Sequence, residues 1–127
     1  MKWREKCIEY PGVMFGSSLR SARKRASKRQ LPFTITREYI EDLFVKQDGR
    51  CFYSDIELNI VKVNGDHVHD PLKMSLDCID PEKGYIDGNV VWCAYCINSF
   101  KLKMPVNDML KICRQIIKKA DKKIMGF

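Results

Sequence analysis

Three polar residues in the middle of the chain have side chains of the types that bind a divalent ion or brace a loop. Asp77 lies near the end of a stretch that alternates like a strand, and Asn98 follows on a segment that reads as a helix. Carboxylate and amide oxygens are hard ligands that suit Mg²⁺ and Mn²⁺, so these two side chains could share one divalent ion. Asn89 lies between them, where its amide could hydrogen-bond a loop backbone and hold its shape. The pattern indicates a metal-dependent hydrolytic site on a rigid frame.

The neighbouring segments predict the elements that would position these side chains. Residues 73–79 alternate well enough for a strand, and residues 89–92 make a second strand. The turn-rich loop 80–88 between them is too long for a tight hairpin. A helix is expected from about residue 93 to residue 103, ended by Pro105. The chain therefore predicts the order strand, loop, strand, helix around the polar residues.

Further helices are expected outside this central unit. A short basic helix over 17–29 would be capped by Ser17 or Ser18, and another helix would begin at Thr36, whose hydroxyl can cap it. The segment 106–120 carries apolar residues at helical spacing, which predicts an amphipathic helix that packs on the domain. The fold class expected from these elements is α+β.

At 127 residues the chain predicts one small domain with three parts. A basic arm with helices occupies residues 1–49, the central unit occupies 50–104, and the C-terminal amphipathic helix occupies 105–127. No run of about 18 apolar residues is present, so no membrane span is expected. The first residues lack the apolar core of a secretory signal, which predicts an intracellular protein in the cytoplasm, an organelle or a nucleoid. In such a reducing compartment the six cysteines should be thiols or metal ligands.

The positive charge is concentrated at the two ends of the chain. The formal net charge is +7; residues 1–31 carry nine Lys or Arg against two Glu, residues 32–98 carry six against twelve acids, and residues 99–127 carry eight against two. Basic arms around an acidic centre favour nucleic-acid binding, with solvated helix faces as the alternative interpretation. The bases expected to contact nucleic acid are Arg20, Arg23, Lys24, Arg25, Lys28, Arg29, Lys101 and Lys103.

Six short motifs follow one another in a specific order. They are Leu31-Pro32-Phe33-Thr34-Ile35-Thr36, Cys51-Phe52-Tyr53-Ser54, Ser75-Leu76-Asp77-Cys78-Ile79-Asp80, Lys83-Gly84-Tyr85, Gly88-Asn89-Val90 and Asn98-Ser99-Phe100-Lys101. In this order and spacing, the span from about residue 17 to residue 103 resembles the HNH (His-Me finger) endonuclease superfamily, especially small phage and intron-type HNH proteins. The resemblance implies a ββα-metal fold, phosphodiester cleavage with a divalent ion, and Asp77 and Asn98 as its ligands.

One departure from that family concerns the catalytic base. The family's general-base His would fall on Cys78, and a thiol of pKa about 8.5 is a poor substitute. Loss of the base would lower the rate by a factor on the order of 10² to 10⁴. Strand alternation supplies another interpretation, in which Cys78 is simply buried. His67 and His69 could serve as substitute bases or lie solvated in a loop, and Tyr85 is a weaker candidate.

A second departure concerns zinc. Many relatives hold a structural Zn²⁺ with two Cys-x-x-Cys knuckles, whereas this chain has Cys93-x-x-Cys96 together with Cys51-x-x-Ser54. A hydroxyl is a rare zinc ligand, so a fourth ligand would have to come from His67, His69 or water. Zinc held by Cys51, Cys93 and Cys96 therefore stands beside the alternative that two thiols at this spacing belong to a helix packed in the core.

Two functions compete on these observations. The first is an HNH-type endonuclease that cuts nucleic acid, DNA above all, with Mg²⁺ or Mn²⁺, its activity weak or lost through Cys78. The second is a catalytically silent HNH fold that binds RNA or DNA within a larger ribonucleoprotein such as a ribosome. A zinc-knuckle adaptor for protein partners is a third reading, but it leaves the spacing of Asp77, Asn89 and Asn98 unexplained.

Overall fold

The computed structural model describes residues 15–60 and 70–122. The elements of these two stretches are α1 (Phe15–Arg29), α2 (Arg37–Lys46), β1 (Met74–Cys78), β2 (Val90–Ala94), α3 (Tyr95–Lys101) and α4 (Val106–Asp121). The mixture of helices with an antiparallel pair of strands confirms the α+β class expected from the sequence. None of the helices in the described stretches combines the length and the apolar character that crossing a membrane requires.

β1 and β2 form an antiparallel pair that leads directly into α3. The register sets Met74 opposite Ala94 and Cys78 opposite Val90. Every residue of β2 is buried, because helices cover the sheet and α3 packs back onto both strands. The predicted order of strand, loop, strand and helix is confirmed. Both helix boundaries differ from the prediction: Cys93 pairs with Ser75 as part of β2, and the helix ends at Lys101, before residue 103 and Pro105.

An aromatic cluster joins the first two helices to the sheet. Phe15 of α1, Phe44 of α2 and Trp92 of β2 meet edge to face, with ring centroids 5.6 to 5.7 Å apart, a favourable arrangement for buried rings. The Trp92 indole nitrogen donates to the Ile40 carbonyl oxygen at 2.8 Å. Gln47 adds two hydrogen bonds to the Trp92 backbone. The end of α2 is thereby fixed against the middle of β2.

The predicted helix starts were right for α2 and wrong for α1. Thr36 caps α2, its hydroxyl accepting a hydrogen bond from the Tyr39 amide at 3.1 Å. Ser17 and Ser18, predicted as caps of the basic helix, lie inside α1, which is already helical at Phe15. The buried Phe15 ring explains the difference, since its contacts with the aromatic cluster require the helix to reach it.

α4 forms as predicted, but its apolar face does not pack on the domain as expected. Met109, in the first turn, is 3% exposed and is the one α4 residue counted among the buried residues of the described chain. Leu110 and Ile112 are about two-fifths exposed, and Ile116 and Ile117 are 53% and 59% exposed. The pattern of the sequence identified an apolar stripe correctly, and the fold covers only its beginning.

We expect substitutions along α4 to affect stability very unequally. Met109→Ala removes a buried side chain and should lower the free energy of unfolding by about 2 to 5 kcal/mol. Ile117→Ser, the matched control on the exposed part of the stripe, should change it by about 0.5 kcal/mol or less. Urea unfolding followed by tryptophan fluorescence measures both. Equal losses for the two variants would mean that the distal stripe also packs on the domain.

Candidate functional site

A cleft of about 290 Å³ lies between α1, the end of β1 and α3. We call it the central cleft; Arg25, Arg29, Asp77, Cys78, Tyr85 and Asn98 are among the residues that line it. A smaller hollow of about 180 Å³ shares Arg25, Ser75, Leu76 and Tyr95 with the cleft and adds Lys73 and three serines of α1. The two hollows form a trough along one side of α1. The fold thus brings Asp77 and Asn98 together beside two arginines of the basic helix.

The carboxylate of Asp77 is buried and has two donors. Asp77 is 6% exposed, and its Oδ2 accepts a hydrogen bond from the Tyr53 hydroxyl at 2.6 Å. The Nζ of Lys101 lies 3.4 Å from Oδ1 and 3.3 Å from Oδ2. Burial and the hydrogen bond to Asp77 raise the pKa of Tyr53 far above its ordinary value, so its hydroxyl keeps the proton that it donates. The carboxylate charge is compensated inside the protein.

Lys101 corrects one of the sequence predictions. It was expected to contact phosphate from the surface of the helix, yet its side chain is fully buried. Its Nζ also donates to the Cys78 carbonyl oxygen at 2.9 Å. An ammonium group is tolerated in such a position only when it is paired and hydrogen-bonded. Lys101 therefore belongs to the interior of the site.

Asn98 is held by its amide nitrogen. Nδ2 donates to the Ser75 hydroxyl at 2.7 Å and to the Leu76 carbonyl oxygen at 3.1 Å. Both partners lie on β1, so the side chain joins α3 to the strand that carries Asp77. Asn98 is also one of the residues that line the central cleft.

Asn89 braces the loop between the strands, as its position in the sequence indicated. Its Oδ1 accepts from the Asp80 amide at 2.9 Å, and its Nδ2 donates to the carbonyl oxygens of Asp80 and Gly84 at 2.9 and 2.7 Å. Gly84 has a φ of +79°, and a Cβ there would lie 2.6 Å from the Pro32 carbonyl oxygen. Glycine is required because the loop packs closely on the segment before α2.

Cys78 has the environment of a core residue and not that of a base. It is 6% exposed, and its Sγ donates to the Gly84 carbonyl oxygen at 3.4 Å. Burial, with a further contribution from Asp77, raises the pKa of the thiol to about 11. The interpretation of Cys78 as a buried strand residue is confirmed. His67 and His69, the alternative bases, lie outside the described residues.

Tyr85, the weaker candidate base, is tied to α1. Its hydroxyl accepts a hydrogen bond from the Nε of Arg25 at 3.0 Å, and the guanidinium carbon lies 5.8 Å from its ring centroid. Burial raises the pKa of Tyr85, against the opposing effect of Arg25. A phenol that keeps its proton at neutral pH can orient Arg25 but is not a general base there.

The oxygen atoms of Asp77 are not free to coordinate a divalent ion in this arrangement. Both carboxylate oxygens already contact the ammonium of Lys101, and one also accepts from Tyr53. In the described stretches, no group of three or more His, Cys, Asp or Glu side chains is placed to hold a metal ion. Magnesium and manganese at Asp77 and Asn98 therefore stay a prediction of the sequence.

The cysteines expected at a zinc site lie in neighbouring elements. Cys51 is buried in a turn in which its carbonyl oxygen accepts from the Asp55 amide, and the next residue is hydrogen-bonded to β2 beside Cys93. Burial raises the pKa of Cys93, with smaller contributions from nearby Asp77, Cys51 and Cys96. Cys96 is exposed in the first turn of α3. Zinc at these thiols stays a prediction.

The basic residues of α1 do not all face the same way. Arg25 and Arg29, one turn apart, line the central cleft, and Arg29 donates to the Pro81 carbonyl oxygen at 3.3 Å. Arg23 instead lies over the Phe33 ring at 5.1 Å. The other bases that the sequence singled out are exposed: Arg20, Lys24, Lys28 and Lys103. Two arginines are thus positioned for a ligand in the cleft.

Sequence reasoning missed Tyr53 and the pair formed by Lys73 and Tyr95. Tyr53 was noted only as part of a motif, and its partner Asp77 is 24 positions away. The Nζ of Lys73 lies 4.2 Å from the centroid of the Tyr95 ring, which is 41% exposed. An exposed ring beside a cation is a typical surface for stacking bases. An aromatic at the strand-to-helix junction was the available signal.

Comparison of the chain with protein-family models, with curated proteins and with solved structures found no match.

We expect Cys78 to react with iodoacetamide only at high pH. Its thiol should stay protonated until the pH approaches 11, whereas an unfolded thiol titrates near about 8.5. The exposed Cys96 should be alkylated first at neutral pH, as peptide mass spectrometry would show. Because the folded state holds this proton more tightly, the contribution of Cys78 to stability should be complete below about pH 8.5 and decline between there and pH 11. Cys78→Ser is the control, and equal alkylation of both thiols at pH 7 would contradict the assignment.

Proposed function

We propose that this protein binds nucleic acid in the trough along α1, on an HNH-type ββα core that works as a scaffold for binding. The observation that carries the proposal is the placement of Arg25 and Arg29 in the wall of the central cleft. Arginine is suited to phosphate because its planar group offers several donors to two oxygens at once.

The electrostatics of the cleft support this proposal. A carboxylate facing a phosphate would repel it, and a nuclease of this type overcomes the repulsion with a divalent ion. In this protein the Lys101 ammonium lies 3.3 to 3.4 Å from both oxygens of Asp77. The arginines consequently act on the ligand without an uncompensated charge from Asp77.

The smaller hollow of the trough is better suited to a nucleobase than to a phosphate group. Tyr95 presents 41% of its surface, and Lys73 lies against its ring. Proteins hold single-stranded nucleic acid or unpaired loops by stacking the nucleobases on aromatic side chains beside a groove lined with Lys and Arg. This arrangement favours RNA, in keeping with a role within a ribonucleoprotein particle.

Metal-dependent cleavage is the second candidate function. It is favoured by one specific observation, that Asp77 and Asn98 line the same cleft as the two arginines. Against it stand the pairing of Asp77 with Lys101 and the protonated, buried thiol of Cys78 at the usual place of the base. DNA would be the expected substrate in that case.

The binding proposal predicts a specific loss when the cleft arginines are neutralised. Arg25→Gln with Arg29→Gln should weaken binding to a structured RNA and to a DNA duplex. The slope of log affinity against log salt should become shallower by about 1.5 to 2, as expected for two lost phosphate contacts. Fluorescence anisotropy from low to moderate salt measures both. Lys46→Gln is the matched control, because Lys46 is exposed at the end of α2 and outside the trough. An unchanged slope in the double variant would remove the basis of the proposal.

A cleavage assay separates the two candidate functions. Supercoiled plasmid and structured RNA are incubated with Mg²⁺, with Mn²⁺ or with EDTA, and nicking is compared between the wild type and Asn98→Ala. We expect binding with no metal-dependent cleavage in either protein, because Asp77 is already paired and Cys78 keeps its proton. Metal-dependent nicking that Asn98→Ala abolishes would instead establish a nuclease. Thermal unfolding of each variant verifies that it is folded.

A further inference from the structure

We infer that Lys101 is a built-in cation that takes the place of a divalent ion at Asp77, so that the site is complete without metal. Its ammonium contacts both oxygens of the Asp77 carboxylate and the carbonyl oxygen of Cys78, the last residue of β1. A bound metal would make contacts of this kind with a carboxylate and a backbone oxygen. The inference concerns the cation at the site and goes beyond the proposed nucleic-acid binding.

The ammonium of Lys101 disfavours the binding of a divalent ion at Asp77 through charge repulsion. A Mg²⁺ ion bound to Asp77 lies about 2.1 Å from a carboxylate oxygen. Because Lys101 Nζ lies 3.3 and 3.4 Å from those oxygens, the two cations would be at most about 5.5 Å apart in any direction. Lys101 is fully buried and Asp77 nearly so, and like charges repel strongly where water does not screen them. We therefore expect the buried ammonium to lower the affinity of Asp77 for a divalent ion.

The backbone turns sharply directly after Lys101. Lys101 is the last residue of α3, and Leu102 follows with a φ of +51° that ends the helix. The Met104 amide donates to the Lys101 carbonyl oxygen at 2.9 Å, which fixes the turn. From this helix end the side chain reaches β1, where its Nζ contacts Asp77 and the Cys78 carbonyl oxygen.

Tyr53 completes the replacement. Its hydroxyl donates to the Asp77 oxygen that lies 3.3 Å from the ammonium. Through Asp77, the turn after Cys51, β1 and α3 are joined at one point. A bound metal stabilises a small domain by linking separate segments of the chain in this way. Lys101 and Tyr53 link these segments with side chains of the protein itself.

The test measures the binding of Mn²⁺ to the full chain. Electron paramagnetic resonance detects it, because the signal of the free ion is lost when the ion binds. The wild type should show no binding that depends on Asp77. Lys101→Met keeps the length of the side chain and removes its charge, and its affinity for Mn²⁺ should be at least about tenfold higher. Lys101→Met combined with Asp77→Asn should lose that gain. Lys101→Arg, which keeps the charge, is the matched control and should resemble the wild type.

Two results would overturn the inference. One is Mn²⁺ binding by the wild type that is as tight as in Lys101→Met and is abolished by Asp77→Asn. The other is an Mg²⁺ titration of the wild type in which the backbone amide resonances of Asp77 and Asn98 shift and saturate. The titration decides the question even if Lys101→Met does not fold. Neither experiment contains nucleic acid, so failure of this inference and failure of the proposed function are separate outcomes.

Discussion

The buried pair of Asp77 and Lys101 is the interaction on which the geometry of the site depends. Removing two charges from water is costly, and their mutual attraction offsets that cost only when both are well hydrogen-bonded. Tyr53 and the Cys78 carbonyl oxygen provide the additional hydrogen bonds. Loss of one partner would strand the other charge, a change that typically costs about 3 to 5 kcal/mol. The pair therefore specifies where α3 lies against β1 more than it adds to net stability.

The position of the basic helix follows from its smallest side chains. Ala22 and Ala26 are buried, which allows α1 to approach the core closely, with Phe15 inserted beside Trp92. On a helix, the residues three positions after Ala22 and Ala26 lie on the adjoining side, and these are Arg25 and Arg29. The same helical repeat that buries the alanines thus places two guanidinium groups at the cleft. One helical pattern thus accounts both for the packing of α1 and for the two arginines that line the cleft.

The sequence pattern predicted the features that depend on interactions between residues close in sequence. The alternation before Asp77, the cap at Thr36 and the bracing role of Asn89 depend on residues close in sequence, and the structure has them. The burial of Lys101 could not be read in this way, because lysine is rarely buried and the partner lies 24 positions earlier. The stripe on α4 shows a related limit. Periodicity reveals that a face is apolar, whereas the rest of the fold decides whether anything covers it.

Charge compensation would allow an acidic centre to lie under the nucleic-acid ligand that we propose. Residues 32–98 carry twelve acids against six bases, so a phosphate over the sheet would meet an unfavourable field if the acids were free. At the cleft the one buried carboxylate is neutralised by Lys101, and the exposed groups next to it are Arg25 and Arg29. Under the proposed function, a site of this kind holds phosphate by positive charge alone. If Lys101 takes the place of a divalent ion, as we infer, the affinity of such a site should depend on salt and not on a divalent ion, because an ammonium group cannot activate water.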